Sequence, residues 1–142
     1  TEKQVEHLLN RYGSLIYEVL APTAEDKSLL EPLEAAEQYM RAEVLYAVTH
    51  EGAMHLDDIL ERRLRVSMEY AHRGVDSARA TAELVAPALG WDKDTMEKEI
   101  KVFIERVEAT LAAERELTDK AANEIAAHAV ETRADVDVSL DR

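Results

Sequence analysis

The chain has no cysteine among its 142 residues. That excludes disulfides, thiolate metal sites and a cysteine nucleophile, and it fits a reducing, cytoplasmic compartment. Glycine and proline are scarce as well, at four and three. Gly13, Gly52, Gly74 and Gly90 stand singly, so neither G-x-G-x-x-G nor G-x-x-x-x-G-K-[ST] occurs to cradle a phosphate. Aromatic residues make up only 5% and mostly fall at helical core positions, which argues against base stacking along a basic groove. No apolar run reaches membrane-spanning length, and no charged-then-apolar stretch resembles a signal peptide. Positive charge is also short: 17 Lys and Arg face 30 Asp and Glu, a net charge of −13. Such a field repels nucleic acid and anionic membrane surfaces.

What remains is a globular composition, 46% hydrophobic and 33% charged, in a length suited to one domain with its own core. The acidity is uneven. Residues 1–38 sum to −5 and residues 92–142 to −6, whereas residues 39–91 sum to only −2. The arginines Arg62, Arg63, Arg65, Arg73 and Arg79 lie in that central zone, which is the candidate surface for a partner.

The pattern predicts an all-α fold, a single domain of about six or seven helices separated by single breakers. Thr1 and Gln4 are spaced as a capping box for a helix running to Tyr12. Ser14 suits the cap of a second helix ending near Pro22, and a polar linker leads to Pro32 at the first turn of a third. This third helix is predicted over 33–51, with Leu33, Ala36, Met40, Val44, Ala47 and Glu51 along one stripe. A fourth starts at Asp57 or Asp58 and aligns Arg63 with Leu56 and Leu60. A fifth covers 76–89, where Pro87 should kink it or end it early. Asp92 caps a sixth, whose face carries Met96, Ile100, Phe103, Val107 and Leu111, with Trp91 and Met96 as a hydrophobic staple. Residues 1–118 form the helical domain. A weak helix over 119–131 and a flexible, disordered acidic tail follow.

The stretch from Tyr39 to Arg65 is the most informative, because Glu43, His50, Glu51 and Arg63 interrupt its apolar rhythm. Ionised groups on a core-facing stripe are costly unless paired or reserved for another surface. Arg62 follows Asp58 by four residues and Arg65 follows Glu61 by four, the spacing of ordinary surface ladders worth a few tenths of a kcal/mol each. Arg63 has no such neighbour. Snorkelling at the domain edge would accommodate it, but pairing with Glu51 or Glu43, or a bridge into another domain, is the preferred expectation. His50, Glu51 and His55 read HEGAMH, but their spacing of five with Gly52 between does not match the H-E-x-x-H metal helix. The serines lack a nucleophile elbow. Among thirty acids, close carboxylate pairs arise by chance. No catalytic, cofactor-binding or metal site follows from the residues themselves. Taken alone, they equally fit a free-standing acidic helical interaction or regulatory module.

One ordered set of motifs goes further. Arg11-Tyr12-Gly13, Ala42-Glu43-Val44, Tyr46-Ala47-Val48, His50-Glu51, Leu56-Asp57-Asp58-Ile59-Leu60, Arg62-Arg63-Leu64-Arg65 and Leu89-Gly90-Trp91 together resemble the C-terminal helical domain of FAD-dependent glycerol-3-phosphate dehydrogenase. The resemblance spans about Val5 to Arg106. Leu64 departs from it, because a small polar residue is expected between the arginines. The resemblance implies a parent enzyme that oxidises glycerol 3-phosphate to dihydroxyacetone phosphate, passing electrons to FAD and then to quinone, peripheral on the cytoplasmic face of the membrane. Its FAD-binding and substrate domains would lie upstream, and this domain would pack on them with no cofactor of its own. Arg11, Glu43, His50, Glu51, Asp58, Arg62, Arg63 and Arg65 then become structural and interface residues. Self-association into a homo-oligomer is left open.

Overall fold

A computed structural model describes residues 1–116 and 118–130. Helices dominate it, as the pattern predicts. Helix α1 (Glu2–Tyr12) begins at the predicted capping box, in which the Thr1 side chain and Gln4 cap each other's backbone amides. Helix α2 is short (Ile16–Leu20) and is flanked by 3-10 turns over Gly13–Leu15 and Ala21–Ala24. Ser14 caps neither; it lies inside the first of these turns. Asp26 caps a further 3-10 turn, Lys27–Leu30, within the expected linker.

The first large departure follows. Residues 33–40 are not helical: β1 (Pro32–Leu33) and β2 (Ala36–Met40) form a two-stranded antiparallel hairpin, and helix α3 covers only Arg41–Thr49. Ala35 turns the hairpin at φ 57°. Two features favour this over the long helix. Leu33, Ala36 and Tyr39 are buried, but Leu33 and Ala36 face each other across the hairpin, and Tyr39 follows along β2 where the register is irregular, so a helix-like spacing of three arises without a helix. In addition, the Glu43 carboxylate accepts the Met40 amide at 2.7 Å, which starts a new helix at that point. Pro32 therefore opens a strand, where its missing N–H costs nothing on an edge.

The second departure is the predicted fourth helix. Asp58–Arg63 is π-helical, and Arg65 then adopts a left-handed conformation (φ 65°) before the short helix α4 (Val66–Glu69). The Leu64 amide reaches back five residues to the Ile59 carbonyl at 2.8 Å. A wide turn takes one more residue to close than an α-turn. The core stripe accordingly runs Leu56, Ile59, Leu60, Leu64, and Arg63 is carried out to solvent.

Helix α5 (Ala78–Leu89) contains Pro87 without ending there, since only its last turn remains and Gly90 caps it in the left-handed region. Helix α6 (Lys93–Glu114) starts at Asp92, whose carboxylate accepts the Thr95 amide at 2.7 Å. It buries Ile100 and Phe103, with Met96 and Val107 packed partly against the core. Helix α7 (Asp119–Ala127) lies along α6 with no fully buried residue. The expected tail over 131–142 lies outside the described residues.

Two apolar clusters result. The larger joins the hairpin, α3, the π-turn, α5 and α6 through Tyr39, Val44, Leu56, Leu60, Leu64, Val85 and Phe103. The smaller joins α1, α2 and α3 through Leu8, Tyr12, Val19, Ala42 and Tyr46. Gly74 marks the tightest approach in the larger one. A Cβ there would sit 3.2 Å from Phe103 Cζ, on a backbone with φ 86°. Gly74→Ala is therefore expected to lower stability by about 2 kcal/mol, read as a shifted urea midpoint at constant slope.

Candidate functional site

The charged residues singled out in Tyr39–Arg65 do not converge on one centre. They divide into a buried network that holds the elements together and an exposed basic edge.

The network is built around Glu43, whose side chain is completely buried at 0% exposure. One carboxylate oxygen caps α3 at Met40, and the other accepts a hydrogen bond from His7 Nε2 of α1 at 2.9 Å. Both oxygens are satisfied, which is what makes a buried carboxylate tolerable. The His7 ring meets Tyr39 edge-on at 4.9 Å, and Tyr39 Oη donates to Glu69 at 2.7 Å. Arg11 stands over the rings of Tyr12 and Tyr39, at 5.5 and 5.8 Å, and donates from Nε to Tyr12 Oη at 3.1 Å. Burial raises the Tyr12 phenol, with Glu43 adding to it, and raises the Tyr39 phenol, where the bond to Glu69 adds. Both phenols therefore stay neutral donors and acceptors. His7, Tyr39 and Glu69 were not foreseen as parts of this network, because partners 36 and 30 residues apart leave no local signal.

The remaining residues take separate places. His50 is exposed, stacks on Tyr46 at 4.6 Å and lies 3.7 Å from Glu18. His55 instead pairs with Glu99 of α6 at 2.8 Å, and Glu99 also accepts the Leu56 amide at 3.4 Å. The two histidines thus serve different elements. Glu51 is half-buried and adds a repulsive field at Tyr12 and Tyr46, with no ion pair to Arg63. Glu43 is likewise committed to His7. The expected pairing of Arg63 with either acid is not formed, because the wide turn places Arg63 on the surface.

Asp57 and Asp58 anchor the other side. Asp58 accepts the Met54 and His55 amides at 3.2 Å each and pairs with Arg62, as its spacing predicted. Asp57 is 2% exposed, and its Oδ2 takes no hydrogen bond but lies 3.3 Å from Arg62 Nη1. Burial alone would raise the Asp58 carboxyl; the Met54 amide, Arg62 and the His55 amide outweigh it and hold it below the usual carboxylate range. A depressed folded-state pKa contributes stability that is present above the unfolded pKa and lost as pH falls through the folded one. Asp58→Asn should therefore destabilise the domain at neutral pH, and the gap from wild type should narrow as pH falls below the ordinary aspartate range, about 4. A gap that persists unchanged to pH 2 in thermal melts would mean that shape, not charge, holds the turn.

The side chains of Arg63 and Arg65 make no hydrogen bond or ion pair among the described residues, and both residues are exposed. The predicted Glu61–Arg65 ladder does not form, since the left-handed residue breaks the helix between them. A cleft of about 180 Å³ opens nearby between the π-turn and α6, lined by Asp57, Glu61, Ser67, Met68, Phe103 and Arg106 among others. No group of three or more His, Asp or Glu suited to a metal ion occurs among the described residues.

Comparison with known proteins gives this architecture a context. The family of the C-terminal domain of alpha-glycerophosphate oxidase matches residues 1–96. Glycerol-3-phosphate dehydrogenase 2 of Mycobacterium tuberculosis (strain ATCC 25618 / H37Rv) is 49% identical over 133 residues, 94% of this chain and 23% of that protein. Glycerol-3-phosphate dehydrogenase of Mycobacterium leprae (strain TN) is 47% identical over the same shares of each chain. Glycerol-3-phosphate dehydrogenase 1 of M. tuberculosis (strain ATCC 25618 / H37Rv) is 43% identical over 63 residues, 44% of this chain and 12% of that one. The chain thus spans about a quarter of the length of the relatives it covers best. No solved structure matches. On the family match and these identities, the chain belongs to the family of the C-terminal domain of alpha-glycerophosphate oxidase.

Proposed function

We propose that this chain is the accessory C-terminal domain of an FAD-dependent glycerol-3-phosphate dehydrogenase. In the parent, glycerol 3-phosphate is oxidised to dihydroxyacetone phosphate, and the electrons pass through FAD to quinone. The observation that carries this reading is the pairing of 94% coverage of the chain with 23% coverage of the relative, at 49% identity. A domain with two apolar clusters of its own, which makes up a minor share of such relatives, supports a packing role. The described residues do not fit FAD: their sheet is a two-stranded hairpin, and no glycine-rich turn links a strand to a helix. The flavin and substrate chemistry is accordingly assigned to the rest of the parent chain. Arg11, Glu43, His50, Glu51 and Asp58 keep the helices in register, and Arg62, Arg63 and Arg65 face the interface. The absence of cysteine supports a reducing, cytoplasmic setting.

Two preparations test this. The 142-residue chain should be colourless, while the polypeptide encoded by the complete reading frame should carry flavin and reduce a quinone analogue on addition of glycerol 3-phosphate. Stoichiometric flavin on the short chain, or a complete reading frame with no flavoprotein portion, would overturn the reading. The second result would leave a free-standing acidic helical module as the description.

A further inference from the structure

The basic edge of the π-turn has a feature that packing does not explain. Four other arginines find carboxylates: Arg41 lies near Glu31, Arg62 pairs with Asp57 and Asp58, Arg73 reaches Glu114 at 2.9 Å, and Arg79 reaches Glu97 at 2.8 Å, while Arg11 is taken up by Tyr12 and Arg106 by the Val130 carbonyl. The side chains of Arg63 and Arg65 have no such partner among the described residues. The backbone itself prevents neutralisation. A regular helix would place Glu61 one turn before Arg65, but the π-turn and the left-handed Arg65 break that register. π-turns are rare and frequent at functional sites, and a left-handed non-glycine residue is strained. Beside them Met68, 71% exposed, donates its amide to the Arg65 carbonyl at 2.9 Å. The surface thus combines two free guanidiniums and a large apolar side chain, the mixture of an interface centre and its charged anchors.

We propose that Arg63 and Arg65, with Met68 beside them, clasp an acidic segment in the preceding part of the same polypeptide, a proposal that rests on the accessory-domain reading above. A guanidinium fork matches a carboxylate in two-point geometry. The net charge of −13 repels extended polyanions such as nucleic acid or an anionic membrane, yet it leaves a short-range contact with a few carboxylates available. The occupant is the remaining three quarters of the chain length seen in the relatives, since the domain spans 23% of them.

Arginine labelling with phenylglyoxal, read by peptide mass spectrometry, tests this. In the 142-residue chain Arg63 and Arg65 should react readily. In the full-length polypeptide, without added substrate, both should be protected roughly tenfold, the scale of one charge-assisted contact. Arg79, already engaged by Glu97, serves as the control and should react alike in both. Arg63→Glu with Arg65→Glu should speed proteolytic release of the domain from the full-length polypeptide by about the same factor. The double lysine variant should lie between that and wild type. Neither double variant should move the melting temperature of the 142-residue chain, because both side chains are exposed there. Equal reactivity in both polypeptides overturns the proposal. So does protection that appears only with glycerol 3-phosphate or inorganic phosphate, which would mark a phosphate site, or protection that disappears on dilution, which would mark a second copy. If the full-length protein oxidises glycerol 3-phosphate while Arg63 and Arg65 stay reactive, only the docking surface is lost. A full-length protein without flavin or dehydrogenase activity removes the accessory reading itself.

Discussion

Leu64→Ala is expected to destabilise the domain by about 3 kcal/mol, whereas Arg63→Ala should change stability by less than about 0.5 kcal/mol. Leu64 is 0% exposed and belongs to the larger apolar cluster with Leu60 and Phe103, so truncation leaves a cavity between elements that cannot collapse together. Arg63 is exposed and makes no ion pair among the described residues. The contrast between the neighbours decides the register. An α-helical turn would carry Arg63 into the apolar stripe with Leu56 and Leu60, and Arg63→Ala would then be felt. Chemical denaturation of the two variants distinguishes the cases. Equal losses, or a larger loss at Arg63, would refute the wide turn, whose signature is the amide of Leu64 bonded to the carbonyl of Ile59.

The second large effect concerns Glu43. Glu43→Ala should cost about 3 kcal/mol, lowering the melting temperature by roughly 10 °C. Two groups lose their acceptor together. The Met40 amide is left uncapped at the start of α3, and the half-buried His7 Nε2 is left without its partner. An unsatisfied buried donor costs its full desolvation free energy, which exceeds the net worth of the bond it formed. Glu43→Gln should be milder, because an amide oxygen can still accept from one of the two donors. If His7→Ala in the Glu43→Ala background costs as much as it does in wild type, the two are not coupled and the network reading fails. The expected coupling is about 1 kcal/mol or more, given a direct 2.9 Å contact.

Parts of this domain were legible before any coordinates. The capping box of Thr1 and Gln4, the Asp92 cap and the amphipathic face of Ile100 and Phe103 are local signals, each contained within one turn or one helix. The i,i+4 pair of Asp58 and Arg62 is another, and it survives even on a π-turn. The ordered motifs from Arg11 to Trp91 also identified the family, since they need only the linear order of residues. Where the signal was ambiguous, the reading of 33–51 as one helix failed. Apolar residues at 33, 36 and 39 suit either one helix or a hairpin turning at 34–35, and the contact of Glu43 with the Met40 amide starts the helix only after the hairpin.

By itself, then, the chain's residue pattern determined its helical class, the caps at Thr1 and Asp92, and its family. Those depend on interactions within a few residues, or on motif order. The tertiary structure alone decided which charges are buried and which are free. Glu43 finds His7 across 36 residues, His55 finds Glu99 across 44, and Tyr39 finds Glu69 across 30. Arg63, which its spacing placed among leucines, is released to the surface by a turn one residue wider than an α-turn. Pairings at such separations are set by how whole elements pack, and one extra residue in a helical turn rotates the residues that follow within it by roughly 100°, enough to move a side chain from the core to the surface.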